Sequence, residues 1–496
     1  MSQDVLTIWR GTATLLPELI LMATLVGIFL WDIARGGKRG GDLPLYLIYL
    51  GSAVALGLTL QGNPGAQSKV FSGMVGTNGL GYFFRLLAYA SLPLFAWLGF
   101  RSKEIGEDSR TEWLLLLGFA ALGTLFTVFS KHLLMLFLSL ETLSLASYCL
   151  AGFKRHHALA SEGAVKYLLF GATCSAVSLY GMSLIFGLTG QLTYEGIGVA
   201  WKLLSGLELF VLQFSFLLFL VGLLFKISAF PTHFWTPDVY EGAPVATVAF
   251  LATGPKAAAF LALIRVFQEM QGTGPASAAA PAFLTLIVAL LSAATMTWGN
   301  LGAIRQVSVK RLMGYSSIAH VGYLMMGLIP AGPYGIRAIL FYIAVYYLMN
   351  LGTFWTLQNF ERRYGATHLH HFAGLGRKQP LAAFSLTIFL FSFAGLPIFS
   401  GFVGKFLIFS SLVQSQSFLW LAVLGVLNSV VSLYYYAKII RSMWLEDVVA
   451  IPETDAIRVS WVFEKGVPIG LAIPTILLGI FFSPLLFLIE RSLLFH

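Results

Sequence analysis

The chain is a succession of apolar runs. Each is about 20 residues long, enough for a helix to cross the roughly 30 Å of a bilayer's hydrocarbon core. The runs are continuous rather than alternating, which excludes a membrane β-barrel. Of 496 residues, 57% are hydrophobic and 11% charged, against about 25% charged in soluble domains. In lipid every backbone N–H and C=O must find a partner within the chain, so such runs become helices. The expected fold is an all-α polytopic membrane protein of about 14 transmembrane helices. They lie near 14–33, 43–61, 80–100, 112–129, 132–151, 162–187, 208–235, 244–265, 282–300, 312–329, 334–358, 380–412, 418–440 and 468–489. Breakers punctuate them at Gly36-Gly37, Gly40-Gly41, Asn63-Pro64-Gly65, Gly272 to Pro275, Pro330 to Pro333 and Pro452. No cleavable signal and no soluble domain is expected.

Loop lysines and arginines concentrate after the odd-numbered spans, as at Lys38, Lys103, Lys154, Arg305, Lys310 and Arg363. Few follow the even-numbered ones: Lys69, Lys131, Lys202, Arg265 and Arg337. By the positive-inside bias the odd loops face the cytoplasm and both termini the outer, periplasmic side of the plasma membrane. The net charge of +9 is attributed to these loops, not to a nucleic-acid surface. The two cysteines, Cys149 and Cys174, fall in apolar runs without a CxxC, so no iron–sulfur or zinc framework can be built from them.

Against this background a few side chains stand out. Leu217 to Pro244 reads LLFLVGLLFKISAFPTHFWTPDVYEGAP, with Lys226, Pro231 and His233 inside a long apolar run. A lysine near a bilayer centre costs roughly 2.5–3.5 kcal/mol on insertion scales. Proline lacks the N–H and crowds the carbonyl four residues back, so the helix should break between the lysine and the histidine. A broken helix at membrane depth needs protein or water around it. A snorkelling lysine beside a proline kink is the plainer alternative. Glu141, Lys166, Lys256 and Lys405 are further charges that no loop claims, and His320 lies in LMGYSSIAHVGYLMMG. Glu141 is the only carboxylate expected at that depth. Lys166 is four residues from Glu162 and can equally form an end-of-helix pair. Lys256 can snorkel, and His320 can be a satisfied core histidine. His132, His156 and His157 lie at span ends or in loops, and His368, His370 and His371 form a loop cluster that reads as solvated rather than metal-binding.

Two spans share a long run, an internal proline and a nearby lysine: Lys226 with Pro231, and Pro397 with Lys405. They are five spans apart, and an odd offset inverts one relative to the other. Broken helices at matching places of inverted repeats point to transporter ion sites. The expected organisation is three N-terminal helices (1–111), a first repeat (112–265), an inverted second repeat (282–440), and a loop with a last helix (441–496).

The segments FKISAFPTHFWTPDVYEGAP, GPKAAAF, VKRLMGYSSIAHVGYLMMG and AGLPIFSGFVGKF resemble the antiporter-like subunits of proton-pumping NADH:quinone oxidoreductase, respiratory complex I. LSLETLSLASYCLAGF is most similar to the subunit N branch. The resemblance implies fourteen helices with two inverted five-helix repeats. It also implies a translocase subunit that moves protons along a buried Lys/Glu/His axis and has no redox centre of its own. NADH, FMN, iron–sulfur clusters and quinone would belong to partner subunits of a hetero-oligomer in the lipid bilayer. It further implies that Glu141 pairs with Lys226, that Lys166 modulates the pair, that Lys256 is the central lysine and that Lys405 ends the half-channel. His233 and His320 match polar positions on the same axis. A subunit of a multi-subunit sodium/proton antiporter shares this fold, and a non-conducting scaffold is the remaining alternative.

Overall fold

The computed structural model describes residues 13–36, 41–62, 68–154, 157–271, 282–329, 332–416, 418–447 and 462–493. The breakers Asn63-Pro64-Gly65, Gly272 to Pro275 and Pro452, and His156, lie outside them. Two helices, α1 (Leu16–Ala34) and α2 (Leu43–Gln61), lead to a short antiparallel hairpin, β1 (Ser68–Val70) with β2 (Val75–Thr77). Helix α3 (Gly79–Phe100) starts at Asn78, whose side chain accepts from Gly81 N–H, as an N-cap should. Then come α4 (Arg110–Phe129), α5 (Leu133–Ala151), α6 (Ala158–Thr189), the short α7 (Tyr194–Leu203), α8 (Gly206–Ile227), the short α9 (Trp235–Gly242) and α10 (Val245–Gln271). The second half holds α11 (Ala282–Ile304), α12 (Val309–Met326), α13 (Pro333–Tyr364), α14 (Pro380–Ala394), α15 (Ser400–Ser415), α16 (Leu419–Leu445), α17 (Val467–Ile480) and α18 (Ser483–Leu493).

Among the described residues, 12 helices are long and apolar enough to cross a membrane. The expected spans at 312–329 and 380–412 are not among them. The first is α12, whose Lys310, Arg311, Ser316, Ser317 and His320 dilute its hydropathy; it is buried among other helices instead of facing lipid. The second is the pair α14 and α15, each too short to span. The expected last span, 468–489, stops at Ile480 and turns at Phe481-Phe482 into α18.

The core is centred on α10 and α13, which pack on each other. The apolar window of α10 is 100% buried and that of α13 94%, against 28% for α1. Helices α11 and α12 meet almost backbone to backbone. A Cβ on Gly322 would lie 2.5 Å from Met296 N, and one on Gly299 would lie 2.5 Å from Ala319 N. Small residues permit this approach, which in lipid supplies the van der Waals contact that holds helices together.

Two helix breaks place the polar groups at depth, and both close in the same way. Helix α8 ends at Ser228, in the left-handed region at φ 67°, and Ala229 N–H returns to Leu224 O at 2.9 Å. Helix α14 ends at Gly395, φ 83°, and Leu396 N–H returns to Phe391 O at 3.1 Å. Each is a left-handed C-terminal closure with a proline shortly after it: Pro231 in one, Pro397 in the other. The break expected between Lys226 and His233 is therefore present. It is made by Ser228, before the proline is reached.

Candidate functional site

Lys226 lies in the last turn of α8 and is 2% exposed. Its ammonium donates to Ser144 Oγ at 3.1 Å and Tyr167 Oη at 3.3 Å. It sits 5.6 Å from the centre of the Tyr167 ring, which stacks on Trp235 at 4.0 Å. An aromatic face attracts a desolvated cation. Glu141 does not touch this ammonium. The carboxylate is half-buried on α5 and accepts from Ser175 Oγ of α6 at 2.5 Å. Among the described residues no hydrogen bond or close ion pair joins it to Lys226; each group rests on hydroxyl partners of its own. One turn of α5 lies between Glu141 and Ser144, which puts both on one helix flank.

Lys256, on α10 just after Pro255, is 2% exposed and donates to Ser317 Oγ of α12 at 2.6 Å. Tyr240 Oη also donates to Ser317 Oγ, at 3.1 Å. A hydroxyl has two acceptor positions and one donor. With both acceptor positions taken, Ser317 gives its proton to Tyr346 Oη, 2.7 Å away. One helical turn further on, His320 is 1% exposed. Its Nδ1 lies 2.5 Å from Tyr342 Oη and its Nε2 3.1 Å from Tyr436 Oη. This histidine is satisfied on both nitrogens, in line with the plainer reading of the sequence. It still bridges two hydroxyls from different helices.

Lys405, on α15, is 3% exposed. It donates to Phe393 O at 2.9 Å and Ala394 O at 3.2 Å, the carbonyls freed where α14 breaks. A cation at a helix C-terminus is well placed electrostatically. It also lies 4.6 Å over the Tyr323 ring. Tyr323 Oη accepts from Asn300 Nδ2, which also reaches Asn428 Oδ1.

Two expected residues sit apart. Lys166 has a side chain 39% exposed and pairs with Glu162 at 2.6 Å and Asp238 at 2.7 Å. The end-of-helix reading holds, with Asp238 added. His233 is 1% exposed among Phe230, Phe234 and Trp298, and neither ring nitrogen has a hydrogen-bond partner. Among the described residues, no side-chain hydrogen bond links the Lys226 group to the Lys256 group, or either to His233. His368, His370 and His371 do lie close together, edge-on or tilted, with ring centroids 4.1–5.9 Å apart, but the His371 Nδ1 accepts backbone N–H groups of Thr367 and His368.

Several charged groups were not singled out from sequence. Glu18 is 1% exposed, and Arg85 clasps it through two bonds of 2.8 and 2.7 Å while Tyr89 donates at 3.0 Å. Glu141 is therefore not the only acid held away from water. Asp238 and Glu241, three residues apart on α9, both accept from Arg311; two acids inside WTPDVYEGAP were the available signal. Glu104 and Glu361 flank Lys310, each 3.6 Å from its ammonium. Lys310 and Arg265, counted as loop cations, are buried; Arg265 donates to Val128 O and to Gly76 O in the hairpin.

The sequence profile of the NADH:quinone oxidoreductase/Mrp antiporter transmembrane family matches residues 130–432, which hold the Lys226, Lys256, His320 and Lys405 groups. The chain is 38% identical over 490 residues to NADH-quinone oxidoreductase subunit N 2 of Sorangium cellulosum, covering 96% of each chain. It superposes on a chain of respiratory complex I from Thermus thermophilus with a TM-score of 0.78, at 31% identity, over 95% of this chain and 98% of that one. A chain of the Mrp complex from Dietzia sp. DQ12-45-1b shares the fold with a TM-score of 0.80 at 18% identity, over 96% of each chain. Buried amines, broken helices and near-full-length relatives agree: the chain belongs to the NADH:quinone oxidoreductase/Mrp antiporter family, on the branch of NADH-quinone oxidoreductase subunit N.

Proposed function

We propose that this chain is a proton-translocating membrane-arm subunit of an H+-translocating NADH:quinone oxidoreductase. It moves protons along a line of buried amines and hydroxyls, driven by quinone reduction in other subunits of the hetero-oligomer. One observation carries the reading: three lysines, each 2–3% exposed, end on hydroxyls or carbonyls of neighbouring helices and not on carboxylates. An unpaired buried ammonium is costly, so its retention three times over points to a group that exchanges its proton.

Hydroxyls and imidazoles both donate and accept, so each can take a proton on one side and release another on the opposite side. Lys256, Ser317 and Tyr346 form one such stretch, and Tyr342, His320 and Tyr436 a second. Water joins the stretches and reaches His233, whose two free ring nitrogens need it. Lys226 and Glu141 begin the line, with Ser144 and Ser175 as their resting partners. Movement of Glu141 toward Lys226 or away from it changes how well the ammonium is held. Lys166, tied to Glu162 and Asp238, adjusts the field at that end. Lys405 ends the line. The two matching breaks support two inverted repeats, about 112–265 and 282–440. The chain lies in the plasma membrane with its termini outside, and NADH, FMN, iron–sulfur clusters and quinone are held by partner subunits.

The test is Lys226→Ala and Glu141→Ala in the assembled complex. The expected result is quinone reduction with fewer protons moved per electron pair. Unchanged pumping in both variants refutes the reading and leaves a scaffold. Sodium-dependent transport without NADH oxidation would assign the chain to an antiporter.

A further inference from the structure

Glu104 belongs to the segment between α3 and α4, outside the amine line, and its side chain is 12% exposed. One carboxylate holds three other parts of the chain. Oε1 accepts from Lys154, beyond α5, at 2.7 Å and lies 3.6 Å from Lys310, at the start of α12. Oε2 accepts from the N–H of Val245, the first residue of α10, at 2.6 Å. Lys310 in turn lies 3.6 Å from Glu361 near the end of α13. The cluster borders a cavity of about 200 Å³ lined by Ser102, Lys103, Glu104, Gln358, Glu361 and Arg362.

Helices α10 and α12 are the two that carry Lys256 and Ser317. Both are held at their N-terminal ends by this one group. Along α10 Lys256 is eleven residues from Val245, about 16 Å; along α12 Ser317 is seven residues from Lys310, about 10 Å. Both helices run unbroken over these lengths, α10 through Gly254-Pro255, so the anchor at the N-terminal ends, which includes a 3.5 Å bond from Lys310 to Ala243 O, bears on the axial register between them. The 2.6 Å Lys256–Ser317 bond crosses between them, and hydrogen bonds weaken beyond about 3.2 Å. A register slip of even one ångström would open it.

We propose that Glu104 is a positioning residue for proton transfer at Lys256, acting by locking the ends of α10 and α12 together. This rests on the function proposed above. The test uses the assembled complex with Glu104→Ala, Glu104→Gln and Glu104→Asp, beside Lys256→Ala. The readouts are protons moved per electron pair, its pH profile from pH 6 to 8, and quinone reduction. Expected is retained quinone reduction in Glu104→Ala, a reduced proton ratio and an altered pH profile, with Glu104→Asp restoring part of both. Glu104→Gln keeps an acceptor for Val245 and assembles, but it loses the pull on Lys310; it should fall between. A wild-type ratio and profile in assembled Glu104→Gln and Glu104→Ala, with a lowered ratio in Lys256→Ala, overturns the positioning role and leaves the function standing. A wild-type ratio in Lys256→Ala as well overturns both.

Discussion

Ser317→Ala is the sharpest perturbation of the amine line, because it leaves every lysine in place. The hydroxyl accepts from Lys256 at 2.6 Å and from Tyr240 at 3.1 Å, and it meets Tyr346 at 2.7 Å. A hydrogen bond to a charged group contributes about 1.5–3 kcal/mol. At about 1.4 kcal/mol per tenfold, its loss lowers the occupancy of the Lys256-to-Tyr346 arrangement roughly 10- to 150-fold. Tyr240 and Tyr346 each lose a buried partner, at about 1–3 kcal/mol apiece. Some loss of assembled complex is therefore expected, and the measurement must be made per assembled complex. The assay is NADH oxidation with simultaneous proton uptake in sealed vesicles. The expected outcome is near-normal electron transfer with a depressed proton ratio, and partial recovery in Ser317→Thr, which keeps a hydroxyl. An assembled Ser317→Ala complex that pumps at the wild-type ratio would refute the reasoning, since a proton line that tolerates the loss of the hydroxyl Lys256 donates to is not running through it.

Three further outcomes follow from single contacts. Glu18→Leu should destabilise the chain by about 3–5 kcal/mol because it strands a buried Arg85, whereas Glu18→Leu with Arg85→Met should cost little or stabilise; thermal unfolding in detergent of the wild type, the two single variants and the double variant decides it, and equal single and double effects would count against the pairing. Gly404→Ala should depress pumping without abolishing quinone reduction, because its Cβ would lie 2.3 Å from Tyr342 Cδ2 and displace the Tyr342 hydroxyl from His320; a normal proton ratio speaks against His320 as a link. Burial pushes the Glu104 carboxyl up, but the Lys310 and Lys154 ammoniums and the bonds from Lys154 and Val245 outweigh it and hold the group below the usual 4.5. A lowered folded-state value contributes stability above the unfolded one and loses it as the pH falls through the folded one. The melting difference between wild type and Glu104→Gln should therefore stay flat from pH 5 to 8 and shrink only below about 4.5; a difference that fades between pH 6 and 8 would show that some other group titrates there.

What the sequence made legible is local chemistry. Lys226 and Pro231 stand out because lipid penalises a charge and a helix penalises a proline, and the two lie within one short stretch of the same run. The repeat of that pattern at Pro397 and Lys405 was visible for the same reason. What was hidden depends on partners far along the chain. Nothing near Glu18 announces Arg85, which is 67 residues away. Nothing near Glu104 announces Val245 or Lys310. Charges at span ends were read as loop charges, because a lysine like Lys310 looks alike whether it faces water or two acids. Hydropathy also assumed one helix per run, so the turn at Phe481 escaped it, whereas the divided run at 380–412 was marked by Pro397. Partner choice escaped it too: Glu141 rests on Ser175, and Lys226 on Ser144 and Tyr167, where the resemblance implied each other.

The way α14 ends has a mechanical corollary. Lys405 occupies the two carbonyls that its own neighbour's interruption leaves open. An ammonium offers three hydrogens and a full charge to those oxygens; the neutral amine offers fewer hydrogens and no charge. If Lys405 gives up its proton as proposed, the two freed carbonyls lose part of their hold, while the Gly395 and Leu396 N–H groups still close on Phe391 O. On that reading, emptying the last station and slackening the backbone beside it would be a single event, and a moving charge would be felt as a moving helix.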